Sequence, residues 1–480
     1  MDLSVSPLVL SLALVGIVIV IAALLSGLVE RSGVPQVAIF LALGAALGPA
    51  GLGALDVELA SPLLQAVATL SLALILFTDA LGLDRKDLRR HSRLALRLLG
   101  PGTLLSAALF GALAWKGLGL SAPSAAILGA ALASTDPVLL KGLLRRPDLG
   151  PARPALRLES GLNDVVLLPI VLVAMTLLPS SGTPLDGRGG ARLALELFLL
   201  GPGAGVAVGL VAIATLDLVR RRVGVRRDYE SLYSLGVCFA AFAAAESVHG
   251  SGFLAAFAAG LTIAAFDVEL CDCFREYGET TAELALLLTF VLLGSSLIWS
   301  GLAGADLRSF AFAGLVLIGR PLVYFVALSG SRLDRRSRWM IAWFGPRGLS
   351  TLLLVLLPVF AGAAGAGELF RVACLVVLLS VLLHGGALVW MGRTRSAGPG
   401  ASPASPDPPS AERDEIRVDE LRALLTEGAP VVVADVRKQE AWDEAERIAG
   451  GARRLSPEHP VDDARILGLP SDAWIILYCT

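Results

Sequence analysis

Charge is the first thing this sequence has little of. Only 17% of its 480 residues are Asp, Glu, Lys or Arg, while 55% are hydrophobic. Soluble globular chains carry about 25% charged residues, so a water-facing surface of this size is excluded. Cysteine is scarce too. The five at Cys238, Cys271, Cys273, Cys374 and Cys479 make no disulfide framework, and Cys271 with Cys273, in an acidic stretch, read as chance thiols rather than a metal site. No GxxxxGK[ST] phosphate loop occurs, which argues against an ATP-driven pump. Nothing in the sequence implies a cofactor or a nucleic-acid partner. The first apolar run lacks a basic leader region, so it is expected to remain as a span rather than be cleaved.

What the chain does have is apolar runs of around 20 residues, recurring from Leu8 almost to Met391, each long enough to cross about 30 Å of hydrocarbon. The fold class is an all-α polytopic membrane protein with about 13 spans. Among them are Ser124–Leu144 as the fifth, Leu156–Leu178 as the sixth, Met340–Phe360 as the twelfth and a short ninth at Phe253–Phe266. Basic clusters fall in odd-numbered loops: Asp84–Arg93, Lys141 to Arg153, Arg220–Arg227 and Arg332–Arg338. That bias places the N-terminus outside and the C-terminus in the cytoplasm of a cell inner (plasma) membrane protein. The acidic loop Asp267–Glu283 breaks the bias without reversing it.

Residues 1–394 form the membrane domain, and 395–415 a Pro/Ser-rich linker too polar to pack. Residues 416–480 read as soluble α/β, with VVVADVR and WIILYC as strands.

Ionisable groups inside a span cost about 2.5–3.5 kcal/mol each on insertion scales, and a transport pathway is their default meaning. RLESGLNDVVLLPIVLVAM places Glu159, Ser160, Asn163 and Asp164 at the entry of the sixth span. Residues four apart share a helix face, so these four make one broad polar stripe, with Val165 to Leu168 expected toward lipid. In ALASTDPVLLKGLL, Thr135, Asp136 and Pro137 sit at the middle of the fifth span, where proline opens the helix. FGPRGLSTLLL does the same to the twelfth, with Arg347 between Pro346 and Gly348. Unwound backbone at that depth survives only when buried in protein or lining a cavity. Two broken helices in corresponding halves match an inverted repeat whose interruptions cross at one ion site. Thr78 and Asp79 end the third span, Glu283 starts the tenth, and Glu246 with His249 read as a packing pair. His384 and Lys116 read as structural or snorkelling.

ASTDPVL, ESGLNDVV, HGSGFLAAFAAGLT, FGPRGLS and LFTDA, in that order and spacing, resemble the monovalent cation:proton antiporters of the NhaP type, relatives of the animal sodium/proton exchangers. The resemblance covers roughly Leu8 to Arg393. It implies a homodimer of 13-span protomers, each with a dimerisation domain and a moving core. It implies that Asp164 alternately holds the cation (Na+, with K+ or Li+ as alternatives) and a proton, with Ser160 and Thr135 as further ligands. It implies that Asn163 holds the geometry, that Asp136 compensates helix ends and that Arg347 pairs with Glu159. Asn before Asp marks the branch resembling electroneutral exchangers. Many relatives have glutamate after LF in the third span; here Thr78 and Asp79 follow, so Asp79 is a substitute ligand or the shell differs. A channel is a rival reading.

The tail resembles a rhodanese domain, with Asp-Val-Arg at a strand end and Cys479 at the catalytic position. Arg447 stands where relatives of that domain usually have histidine, and the loop following the cysteine is missing. The domain is therefore expected to be incomplete and without sulfurtransferase activity, so the protein is expected to be a transporter, not an enzyme. A membrane-anchored sulfur or redox protein is the rival from another class.

Overall fold

Proline, glycine and short hydroxyl caps punctuate the apolar runs, and the helices of the computed structural model start and stop on them. The structure describes residues 36–83, 90–144, 149–178, 187–223, 227–266, 268–331 and 333–396, a few positions between 16 and 24, and in the C-terminal region chiefly 430–437, 451–456 and 474–478. Ser61 caps the helix that opens at Pro62 by accepting from the Leu64 amide, and Ser121 does the same for Ser124. Both are the usual hydroxyl solution to an orphaned first turn.

The helices are α1 (Gln36–Leu47), α2 (Pro62–Leu81), α3 (Ser92–Gly117), α4 (Ala122–Ala133), α5 (Pro137–Leu144), α6 (Ala152–Thr176), α7 (Gly189–Arg222), α8 (Arg227–Ser247), α9 (Gly252–Phe266), α10 (Val268–Ser295), α11 (Leu307–Ala327), α12 (Arg335–Trp343), α13 (Leu349–Phe360) and α14 (Ala366–Ser396). The first expected span, Leu8–Leu28, lies almost wholly outside the described residues; each later one, from Val34–Leu52 to Leu369–Met391, overlaps one or two of these helices. Seven of the described helices are long and apolar enough to cross a membrane, or eight if the pair Thr280–Ser295 and Leu297–Ala303, bent by 58°, is one span. Apolar helices α1, α9 and α13 are shorter.

Two expectations are corrected here. The acidic stretch Asp267–Glu283 is not a loop, because α10 begins at Val268. Apart from Gly278 the stretch contains no breaker, and its polar residues suit a helix that continues beyond the apolar segment. Nor do Val165 to Leu168 form a lipid face: Leu167 and Leu168 are fully buried, because neighbouring helices enclose α6.

In the membrane unit, Met1–Arg395, the helices pack as two groups. α1, α2, α7, α8, α9 and α10 contact one another, as do α3, α4, α6, α11, α12 and α13, with α2 touching α6 and α13 between them. The C-terminal unit, Ser396–Thr480, holds a parallel three-stranded sheet of β1 (Val431–Asp435), β2 (Arg453–Arg454) and β3 (Trp474–Tyr478) with β1 central. At the end of β1, Arg437 donates to both oxygens of Asp435. That guanidinium holds the Asp435 carboxyl down to about 2. Cys479, Arg447 and the linker from residue 397 onward lie outside the described residues, while α14 runs through its first two positions. The side chains of Cys271 and Cys273 are likewise outside the description, and among the described residues no cluster of His, Cys, Asp and Glu could hold a metal.

Candidate ion-binding site

The two interrupted spans cross. α4 stops at Ala133 and α5 resumes at Pro137; α12 stops at Trp343 and α13 resumes at Leu349. At the crossing the Asp136 amide donates to the Pro346 carbonyl at 2.9 Å. Four helix ends therefore meet inside the protein, and each carries a partial charge. The carboxylate of Asp136 answers two of them: Oδ1 accepts from the Val138 amide at 2.8 Å and Oδ2 from the Leu349 amide at 2.7 Å, at the starts of α5 and α13. The guanidinium of Arg347 answers a third, donating to the carbonyls of Ala133 at 3.1 Å and Ser134 at 2.7 Å, where α4 ends. The sequence around Arg347 is small for a reason. A Cβ on Gly348 would land on the Asp136 carboxylate, and one on Gly345 would land on the guanidinium of Arg320.

Arg320 was not anticipated, and it corrects the expected pairing. Glu159 does not pair with Arg347, whose side chain is committed to carbonyls. It pairs instead with Arg320 at 2.7 Å, with the two side chains 0% and 2% exposed. A lone arginine inside the apolar stretch LVLIGRPLVYF of α11 was the available signal, by the same insertion cost that singled out Asp136 and Asp164.

α6 brings the polar stripe to the crossing. Glu159, Ser160, Asn163 and Asp164 are all buried on it. Asp164 Oδ1 accepts from the Ser134 hydroxyl at 2.5 Å, and the Ser350 hydroxyl of α13 also faces this carboxylate. Asn163 Nδ2 donates to the Thr135 hydroxyl at 2.5 Å, and that hydroxyl donates to Glu159 Oε1 at 3.1 Å. Ser160 bonds back to the Arg157 carbonyl at 3.3 Å. Ser134 and Ser350 are ligand candidates that sequence reasoning missed. Both sit beside named motif residues, and only the crossing turns them inward.

Two buried oxygens are left over. Asp164 Oδ2 and Asn163 Oδ1 have no hydrogen-bond partner. Buried acceptors without partners are costly and call for an explanation. A cavity of about 520 Å³ lies next to the polar stripe, lined among others by Ser160, Ser350, Asp136, Asp79 and Glu283. Asp79 therefore shares the cavity with the site, but no bond joins it to Asp164, while Thr78 bonds back to its own helix. Glu246 is elsewhere and caps α9 through the Gly252 amide at 2.9 Å. His384 of α14 contacts the Trp343 carbonyl and Ser380, whose hydroxyl accepts from the Arg347 amide, so it braces the break from behind. Lys116 is exposed at the end of α3.

Residues 17–394 match the sodium/hydrogen exchanger transmembrane family. The chain belongs to the sodium/hydrogen exchanger family. Among its relatives, the K(+)/H(+) antiporter NhaP2 of Shewanella sp. (strain MR-4) is 29% identical over 379 residues, covering 78% of this chain and 65% of that one. The K(+)/H(+) antiporter NhaP of Alkalimonas amylolytica is 26% identical, covering 79% and 66%. The chain thus spans just under two thirds of the length of these relatives, which are antiporters and not enzymes. The fold is that of the sodium proton antiporter MjNhaP1 from Methanocaldococcus jannaschii: the TM-score is 0.65 at 22% identity, over 80% of this chain and 98% of that one.

Proposed function

We propose that this chain is a secondary antiporter that exchanges protons for a monovalent alkali cation, with Asp164 as the carboxylate both compete for. The observation that carries this is the pair of buried, unpartnered oxygens, Asp164 Oδ2 and Asn163 Oδ1, on the helix whose Ser160 lines the cavity. Hard oxygen donors suit alkali cations, and soft ligands are absent from the site. A carboxylate in such a place needs either a proton or a cation beside it. One group with two exclusive occupants, exposed to one side at a time, gives obligatory exchange. With a single carboxylate titrating, the exchange is electroneutral.

The donors do not themselves choose between sodium and potassium. Sodium is the first reading and potassium the alternative, which the names of the NhaP2 and NhaP relatives support. We further propose thirteen spans, a homodimer, and an inner-membrane orientation with the C-terminus cytoplasmic. In that orientation the cavity, whose wall includes Arg153 and Arg157, opens inward. The region beyond residue 415 is proposed as a rhodanese-like domain appended to the transporter domain of residues 1–394.

Flux in proteoliposomes tests the core of this. The wild type is expected to dissipate an imposed pH gradient with sodium, potassium or lithium, and Asp164→Asn is expected to be silent. Proton and cation should compete. An Asp164→Asn protein that transports like wild type overturns the assignment, and flux without competition favours a channel.

A further inference from the structure

The Arg320–Glu159 pair is incomplete in an informative way. Arginine and carboxylate in a buried site normally close as a two-pronged fork. Here Arg320 uses Nη2 on Glu159 Oε2 at 2.7 Å and Nη1 on the carbonyls of Ile341 and Ala342, while its Nε is buried without a partner. An unmade bond to a charged group costs more than a neutral one, so something holds Glu159 Oε1 away from it. Two hydroxyls do: Tyr324 at 2.9 Å and Thr135 at 3.1 Å.

Tyr324 lies four residues after Arg320 on α11, so the two share a face. Its ring lies under the guanidinium, with Cζ 4.0 Å from the ring centroid, and its hydroxyl reaches past to the carboxylate. One side chain thus touches both members of the pair. It also has a shaped seat. α3 contains a π-helical turn, Leu98–Leu104, a feature that recurs at functional places in helices. In that turn Gly102 leaves room where a Cβ would stand 3.2 Å from the ring, and Thr103 Oγ1 lies 3.1 Å from the Tyr324 hydroxyl.

The direction of each bond follows from proton counting. Tyrosine has one hydroxyl proton, and an ionised carboxylate only accepts. Tyr324 therefore donates to Glu159, and its oxygen meets the Thr103 hydroxyl, whose single proton is shared with the Leu98 carbonyl 3.1 Å away. Thr135 donates to Glu159 for the same reason, which turns its lone pairs toward Asn163 Nδ2. The amide is then fixed with its unpartnered Oδ1 away from Thr135.

We infer that Tyr324 is a positioning residue of the ion site, holding Glu159 Oε1 out of the arginine fork so that Thr135 and Asn163 keep their arrangement. This rests on the proposal that the unpartnered oxygens receive the cation. Removing the Tyr324 hydroxyl frees Oε1 to close on Arg320 Nε. The ion pair gains a bond as the site loses its brace, so cation binding and stability respond in opposite senses. A packing residue moves both the same way.

The experiment uses the full chain with Tyr324→Phe, reading sodium- and potassium-driven proton flux in proteoliposomes and the thermal midpoint in detergent. The apparent KM for the cation should rise about three- to tenfold, the range of one hydrogen bond. The maximal rate should stay within about twofold and the midpoint should be unchanged or higher. Thr103→Val should raise KM less, and add nothing on top of Tyr324→Phe, since coupled residues are not additive. An unchanged KM overturns the inference, as does a raised KM accompanied by a lowered midpoint. A wild type that carries no flux but is stabilised by sodium or potassium overturns the transport proposal alone; the Tyr324 comparison is then read from the concentration of cation needed for stabilisation. A wild type with neither response overturns both.

Discussion

Glycine serves opposite ends in the first helix group and at the crossing. In the first group it lets backbones touch. A Cβ on Gly44 or Gly48 of the α1 end would strike the α10 backbone at Val291, Gly294 and Ser295, and one on Gly205 of α7 would strike Ala255 of α9. Close approach through small residues is how helices hold together without a hydrophobic gradient. At the crossing, Gly345 and Gly348 admit charges instead, the Arg320 guanidinium and the Asp136 carboxylate. The same missing methyl makes one region dry and tight, and gives the other room for ionised groups. A difference in kind follows: the first region should fail by loosening, the second by losing transport.

Arg320→Met breaks the comparison hardest. It leaves Glu159 charged and buried with its main partner gone, and stranding one member of such a pair costs about 3–5 kcal/mol. Loss of folded protein by size-exclusion and thermal scan is the expected outcome; a stable, active variant would show that the pair does not hold the crossing. Next is Gly348→Ala, where the new methyl displaces Asp136 from the α13 amide. Flux should fall to background in protein that still elutes as a single folded species. Gly205→Ala is expected to do the reverse, lowering the thermal midpoint through overpacking of about 1–3 kcal/mol, with flux per folded molecule retained. Smallest is Ser71→Ala. It removes the buried Ser71–Thr289 bond between α2 and α10, 3.0 Å long, at a cost of about 1 kcal/mol in midpoint and none in flux. If Gly205→Ala abolished flux at an unchanged midpoint, the division of labour between the groups would be wrong.

Much of this was readable in one dimension because the membrane makes polar residues expensive. Helix positions followed from apolar run length. Both breaks followed from Pro137 and Pro346, and the polar stripe of α6 followed from residues four apart. What could not be read was partner choice. Arg347 stands beside the break, and the family resemblance implies Glu159 as its partner. The fold offers it the α4 carbonyls instead, and gives Glu159 an arginine from α11 that no local pattern connects to it. Ser134 and Ser350 were hidden for a similar reason. A serine next to a helix interruption carries no directional information until the crossing sets where the chain turns. The helical continuation at Val268 is hidden because an acidic stretch between apolar runs reads as a loop, although acidity alone does not stop a helix.

The amides at the crossing belong to residues outside or at the edge of regular helix, where exchange with solvent deuterium is ordinarily fast. Yet the Asp136 amide is held by the Pro346 carbonyl and the Leu349 amide by the Asp136 carboxylate, both inside the protein. They should rank among the slowest-exchanging amides of the membrane unit, slower than many within well-formed helices. Their bonds tie α4, α5, α12 and α13 into one piece. On the proposed exchange, a motion that turns the site from one side to the other carries both broken helices together, as a single body.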